Sequence, residues 1–309
     1  MFMKRAVNCG LVKADNMKQA ILLLSFGTPR QPSDLLPYLT SIRRGKIPTE
    51  RELEVLTARY DAIGQWDNKL LQTMGEEQKK ALESLLKIDA MYLAYIHMPN
   101  SMEQAVESIA AAGYTSILCI VTSPFYSMVG TGAYERKLHS ILRAYPDISC
   151  EIIKSWWNRP QFFEYWASQL MAIHPLQTDT ACIFSAHSVP TATVGNYEDE
   201  VISASNQIAK KVGLNHWHQA WQSAAPYGEW LGPTIESVIE RALADGAKRI
   251  ICIPFGFVSD HVEILYDNDI ICRNIVENAG ATYERLPMPN GNLLFMETMA
   301  KAIQERINK

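Results

Sequence analysis

Two hydrophobic patterns alternate along the chain. Four short runs are apolar at nearly every position: Ala20–Phe26 (AILLLSF), Ser116–Thr122 (SILCIVT), Ala181–Ser185 (ACIFS) and Arg249–Pro254 (RIICIP). Runs of this length, rich in Ile, Leu and Val and closed by Gly, Pro or Ser, suit strands buried on both faces of a parallel sheet. Met91–Ile96, Glu151–Trp156 and the stretch around Trp217–Gln222 are weaker strand candidates. Between the runs, apolar residues recur at helical spacing. Glu50–Ile63 places Leu53, Leu56 and Tyr60 on one side, and Glu76–Leu86 reads as amphipathic. Met102–Ala112 and Thr234–Ala244 are closed by Gly113 and Gly246, and a last helix covers about Asn292–Ile307.

Strand alternating with helix predicts an α/β protein with doubly wound parallel sheets. AAAGYTSILCIVTSP near 110–124 and ALADGAKRIICIPFG near 242–256 share one plan of helix, glycine turn, strand and Pro-containing loop. The expectation is two similar Rossmann-like domains with the active-site cleft between them. The first takes 18–124 plus a returning C-terminal segment 290–309, the second takes 125–289, and 1–17 is an N-terminal extension outside the fold. Ligands of such folds bind beyond the carboxyl ends of the strands.

Composition narrows the function classes. Of 309 residues, 48% are apolar and 20% charged, with a formal net charge of −4. That balance lacks the basic footprint of a nucleic-acid binder. No run of eighteen apolar residues offers a membrane anchor, and the N-terminus lacks the apolar core of a signal peptide, so a cytoplasmic protein is expected. The six cysteines form no CxxC pair and read as reduced thiols. P-loop, GxGxxG, HExxH and GxSxG motifs are absent.

Candidate chemistry gathers after the strands. His187 leaves ACIFSA and is followed by Ser188-Val189-Pro190, a rigid perch for an imidazole. A lone histidine there is equally a core residue bonded to backbone. After RIICIP comes SDHVEILYDND, which on a helix sets Glu263 and Asp267 on one face, with Asp260 and His261 at its start. A solvated acidic face is the plainer alternative. Together, however, His187 and Glu263 arrive from two strand ends and can divide proton transfer and metal ligation. Arg43, Arg44 and Arg59-Tyr60 form a basic and aromatic group suited to carboxylates, and His97 follows the MYLAYI strand. The pairs Trp156-Trp157 and Trp221/Trp230 read as packing.

These segments resemble the ferrochelatase family, specifically its soluble Gram-positive, coproporphyrin-using type. LLLSFGTPRQPSDLLPYLTSIRRGKIP, LTARYDAIG, FSAHSVP, WQSAAPYGEWLGP, PFGFVSDHVEILYDND and YERLPMPN carry the likeness, from about Lys18 to the last helix. The resemblance implies insertion of Fe2+, as substrate, into coproporphyrin III or protoporphyrin IX, with no dissociable cofactor, no membrane anchor and a monomeric enzyme. It makes His187 and Glu263 the catalytic, metal-facing pair and Asp267 an auxiliary acid that delivers metal. Phe26, Arg43, Arg59, Tyr60, Asp67 and Tyr134 fall at porphyrin-contacting positions, with His97 and Arg44 as weaker members.

Three departures qualify this expectation. The soluble family commonly carries a tyrosine, able to ligate iron, where this chain has Phe26. A serine that contacts a propionate is replaced by Asp67, and the third acid of the ladder is Ile271. They leave two alternatives open: the reverse reaction, iron removal from haem or coprohaem, and a non-catalytic tetrapyrrole carrier.

Overall fold

The fold is taken from a computed structural model that describes residues 18–66, 70–173, 176–225 and 227–308. In chain order the strands are β1 Gln19–Ser25, β2 Met91–Tyr95, β3 Ser116–Val121, β4 Ser149–Ile153, β5 Thr180–His187, β6 His218–Gln222, β7 Arg249–Ile253 and β8 Thr282–Arg285. The helices are α1 Leu35–Ile42, α2 Glu50–Ala62, α3 Leu70–Leu86, α4 Ser101–Ala111, α5 Thr131–Leu142, α6 Pro160–Ala172, α7 Tyr197–Lys211, α8 Ile235–Ala244, α9 Arg273–Asn278 and α10 Leu293–Ile307. A π-helix, Glu263–Cys272, runs directly into α9.

The strands form two four-stranded sheets of one topology, β2-β1-β3-β4 and β6-β5-β7-β8, with every pairing parallel. The likeness between the two sequence halves is thus a likeness of strand order. β3 is buried at every position, and β1 and β5 are buried at all positions but their ends, as continuous apolar runs demand when helices cover both faces. The first sheet extends beyond the expected junction after Pro124, because β4 pairs with β3. The strand, a weaker candidate at Glu151–Trp156 in the sequence, starts earlier: Ser149 is exposed and only Ile153 fully buried, which is the profile of an edge. β8 is the matching edge of the second sheet, with Tyr283 alone buried.

One apolar cluster joins both sheets through α6, α7 and α10, with Trp156, Trp166, Phe125, Phe162, Phe255 and Phe295 at its centre. Trp156 packs edge-on against Phe162 and Phe295, which confirms the packing role expected of it. α10 returns to lie against α3 and α6. α2 begins with a reciprocal capping box between Thr49 and Glu52, a feature that stabilises a helix start by about 1 kcal/mol.

Candidate active site

The backbone around His187 is pinned on each side. His187 is the last residue of β5; its carbonyl accepts from the Tyr197 hydroxyl at 2.9 Å. The Ser188 amide donates to the Gln222 carbonyl at 2.8 Å, and the Ser188 hydroxyl donates to the Leu231 carbonyl at 2.8 Å. The imidazole Nδ1 contacts the Ser188 carbonyl oxygen. A carbonyl only accepts, so Nδ1 carries the proton, and in the neutral ring Nε2 holds the free lone pair. That Nε2 stands 3.6 Å from Glu263 Oε1.

Glu263 reaches this place through a tight turn after β7. The Gly256 amide donates to the Ser185 carbonyl at 3.2 Å, and a Cβ built on Gly256 would lie 2.4 Å from the Ala186 Cβ. Only glycine lets the β7 loop approach the residue preceding His187 so closely. His261 then sets the entry to the π-helix, its Nδ1 accepting the Glu263 amide at 3.2 Å. That lone pair is available only in an imidazole unprotonated at Nδ1, and burial lowers the His261 pKa accordingly, with the neighbouring His187 adding to the effect against Glu263 and Asp260.

The electrostatics of the pair are opposed. Burial disfavours the imidazolium of His187, yet the charge of Glu263, its hydrogen bond and the Ser188 carbonyl outweigh burial and raise the pKa from 6.5 to about 9. Burial likewise disfavours the Glu263 carboxylate, and His187, His261 and Arg59 overcome it, lowering the pKa from 4.5 to about 2. At neutral pH the resting pair is an imidazolium beside a carboxylate. The side chains are 38% and 28% exposed, so both face an open space rather than the core.

The structure sorts the other acids of SDHVEILYDND. The helix expected over this motif is a π-helix, with Glu263 in its first turn and Asp267 further along it. Asp269 receives a two-pronged contact from Arg285, at 2.7 and 2.8 Å, and Arg285 also lies 3.1 Å from Asp260. Asn290 Nδ2 donates to Asp260 at 2.8 Å. These two acids hold the loop and helix in place. Asp267 accepts from the Ser223 hydroxyl at 2.8 Å and pairs across the cleft with Arg59 at 3.5 Å. Asn268 is buried, donating to Gln222, which in turn donates to Ser185.

The facing wall comes from the first sheet. Phe26 follows β1, is 44% exposed and meets His97 edge-on with ring centroids 4.4 Å apart. Tyr38 adjoins Phe26, His97 and Tyr60, and Tyr60 adjoins Trp66. His97 Nδ1 lies 3.0 Å from the Ser41 hydroxyl; burial, helped by Lys137, lowers its pKa to about 4 and keeps the ring neutral. The charge of Glu263 adds to the burial that raises the pKa values of Tyr38 and Tyr60; this wall meets the His187 wall where Arg59 of α2 reaches Asp267. Arg59 stacks 5.0 Å from the Tyr266 ring centroid. Arg43 is bound to Glu52, whereas Arg44 is exposed at the end of α1. Tyr134 lies buried on α5 among the apolar residues of the first sheet. Asp67 lies outside the described residues. Sequence reasoning missed Tyr38, Tyr197, Ser223 and Arg285; a tyrosine or serine on an unremarkable helix or loop carries no spacing signal of its own. An open cavity of about 540 Å3 lies elsewhere, along α3, α6 and Pro287–Asn292, and none of the expected site residues lines it.

A ferrochelatase family model matches residues 18–307. This chain belongs to the ferrochelatase family. It is 33% identical over 302 residues to the coproporphyrin III ferrochelatase of Geobacillus kaustophilus, covering 93% of this chain and 95% of that one. It is 32% identical over 307 residues to the Listeria monocytogenes coproporphyrin III ferrochelatase, covering 94% and 98%. Among solved structures, SirB from Bacillus subtilis with Fe3+ superposes with a TM-score of 0.62 at 11% identity, over 94% of this chain and 95% of that chain, a likeness of fold alone. The protein is a metal-chelating enzyme, and in the second half of this ferrochelatase the chain ends of β5 and β7 bring a base, His187, and a carboxylate, Glu263, together.

Proposed function

We propose that the enzyme inserts Fe2+ into coproporphyrin III in the cleft between the two sheets. The reaction exchanges two pyrrole N–H protons for one divalent cation, so the site must accept protons and tolerate a metal ion. The His187–Glu263 pair at 3.6 Å carries this reading. Its opposed titration divides the work: Glu263 stays ionised and can face the cation, whereas His187 is the stronger base and, once deprotonated, offers Nε2 to a pyrrole proton or to iron. Phe26, exposed and backed by the buried Tyr38 and Tyr60, supplies an aromatic face for a flat macrocycle, and Arg59 supplies a counter-charge for its carboxylates. The likeness to coproporphyrin III ferrochelatases supports coproporphyrin III as the macrocycle. The reading includes action as a monomer in the cytoplasm, to be checked by light scattering and cell fractionation. Among the described residues no helix is long and apolar enough to cross a membrane.

The test is an anaerobic assay with Fe2+ and either coproporphyrin III or protoporphyrin IX, run beside demetallation of the iron products. Metallation, faster with coproporphyrin III, is expected. His187→Ala should lose metallation and keep porphyrin binding, read by Soret absorbance; full activity in that variant refutes the assignment. Binding without turnover in either direction would mark a carrier, and iron release alone would mark the reverse reaction.

A further inference from the structure

Arg59 ties the two walls of the site together. It lies near the end of α2, in the first half of the chain, and its Nη1 stands 3.5 Å from Asp267 Oδ1 on the π-helix of the second half. The contact is a single prong at ion-pair range, from a guanidinium 39% exposed to a carboxylate 12% exposed. Such a pair is weak, and it leaves most of the guanidinium donors unused. The Asp267 carboxylate has a second, independent anchor, the Ser223 hydroxyl at 2.8 Å on Oδ2. Losing Arg59 would therefore expose Oδ1 without releasing the side chain from its position. The guanidinium also acts on Glu263, whose ionisation it favours. Among the described residues, no three His, Cys, Asp or Glu side chains stand together as a ready metal-holding group.

We propose that Arg59 is a carboxylate-operated latch: a porphyrin propionate draws it from Asp267, and the freed Asp267 then raises the affinity of the site for the divalent ion. The inference rests on the porphyrin reading given above. A flexible, solvated propionate can meet the guanidinium with two parallel N–H···O bonds, a better partner than the single contact to Asp267. The exchange opens Asp267 Oδ1 on the π-helix that begins at Glu263. Porphyrin binding therefore favours metal binding, and by linkage the metal favours porphyrin binding to the same degree. Macrocycle first, metal second, becomes the preferred order.

The probe is Mn2+, titrated by electron paramagnetic resonance into the free enzyme, into enzyme saturated with coproporphyrin III, and into enzyme saturated with its tetramethyl ester. Saturation is checked by porphyrin fluorescence in the same samples. Coproporphyrin III is expected to tighten Mn2+ binding about tenfold, within the range usual for coupled sites, and the uncharged ester to leave it unchanged. Arg59→Gln should bind Mn2+ tightly without porphyrin and show no further gain. Arg59→Lys, which keeps the charge, should remain weak in the free enzyme, and Asp267→Asn should abolish the gain. Porphyrin binding with no change in Mn2+ affinity overturns the latch and leaves the proposed activity standing. Coupling that survives in Arg59→Gln also overturns it. Failure to bind porphyrin at all would sink both readings, and the fluorescence control separates that result.

Discussion

Replacing Glu263 by Gln removes one charge at nearly constant shape and isolates the feature on which the chemistry turns. In the native enzyme Glu263 Oε1 is 3.6 Å from His187 Nε2, and the His187 pKa stands at about 9 against an ordinary 6.5. Burial is the largest influence on His187 and pulls downward; Glu263 is the chief influence pulling the other way. Without it, only the Ser188 carbonyl and Asp267 still oppose burial, and the pKa falls from about 9 towards 6.5. Because the imidazole side chain is 38% exposed, solvent screening trims the full effect, and a fall of about one to two pH units is expected. The assay is an NMR titration of the His187 Cε1–H resonance, assigned by its loss in His187→Ala, in native enzyme and Glu263→Gln. The dependence of kcat/KM for the metal on pH should follow, rising towards about 9 in the native enzyme as His187 loses its proton. The same pair has a stability signature. His187, with its raised pKa, contributes stability fully below 6.5 and loses it as pH rises through about 9. Glu263, with its lowered pKa, contributes above 4.5 and loses it as pH falls through about 2. Glu263→Gln should therefore cost most stability between 4.5 and 6.5. A native His187 midpoint at or below 6.5, or one unmoved by the substitution, would refute this account of the pair.

Three further perturbations test separate parts of the structure. Phe26→Tyr places a hydroxyl on a ring 44% exposed beside His97, and should shift the visible spectrum of the bound iron–porphyrin; an unchanged spectrum means residue 26 does not face the metal. Arg285→Met leaves Asp260 and Asp269 without their shared cation in a setting only 13% exposed at the arginine, and should lower the unfolding free energy by about 3 kcal/mol in urea titration. Gly256→Ala forces a methyl to within 2.4 Å of the Ala186 Cβ, so the β7 turn must shift; a loss of about 2 kcal/mol together with reduced metallation is expected, and native stability would show that the turn has slack.

Much of the fold was legible because its central strands are buried on both faces. The four continuous apolar runs became β1, β3, β5 and β7, the inner strands of the two sheets. The edges were harder. β4 and β8 each bury few residues, so their sequences alternate or break, and β4 was assigned to the wrong side of the chain junction. The helices α5, α6 and α7 went unread for a related cause. α6 is apolar on several sides, with Phe162, Tyr165, Trp166 and Leu170 all buried in the core between the halves, so no single stripe marks it. At the site, His187 and Glu263 could be picked out because both follow inner strands. Arg43, expected at a porphyrin-contacting position, is paired with Glu52, a commitment that depends on how α1 meets α2 and is not written in either segment alone.

The sequence by itself determined that this is a doubly wound α/β protein of the ferrochelatase family, since burial on both strand faces and two specific motifs are written locally in the chain. Only the tertiary structure decided what each acid of SDHVEILYDND does. Asp260 and Asp269 serve Arg285, Asp267 answers Ser223 and Arg59, and Glu263 alone of the four pairs with His187. The reason is physical: a carboxylate's role depends on which cation or donor lies within a few ångströms, and those partners come from β8, from the loop after β6, from α2 and from β5, segments far from it in sequence.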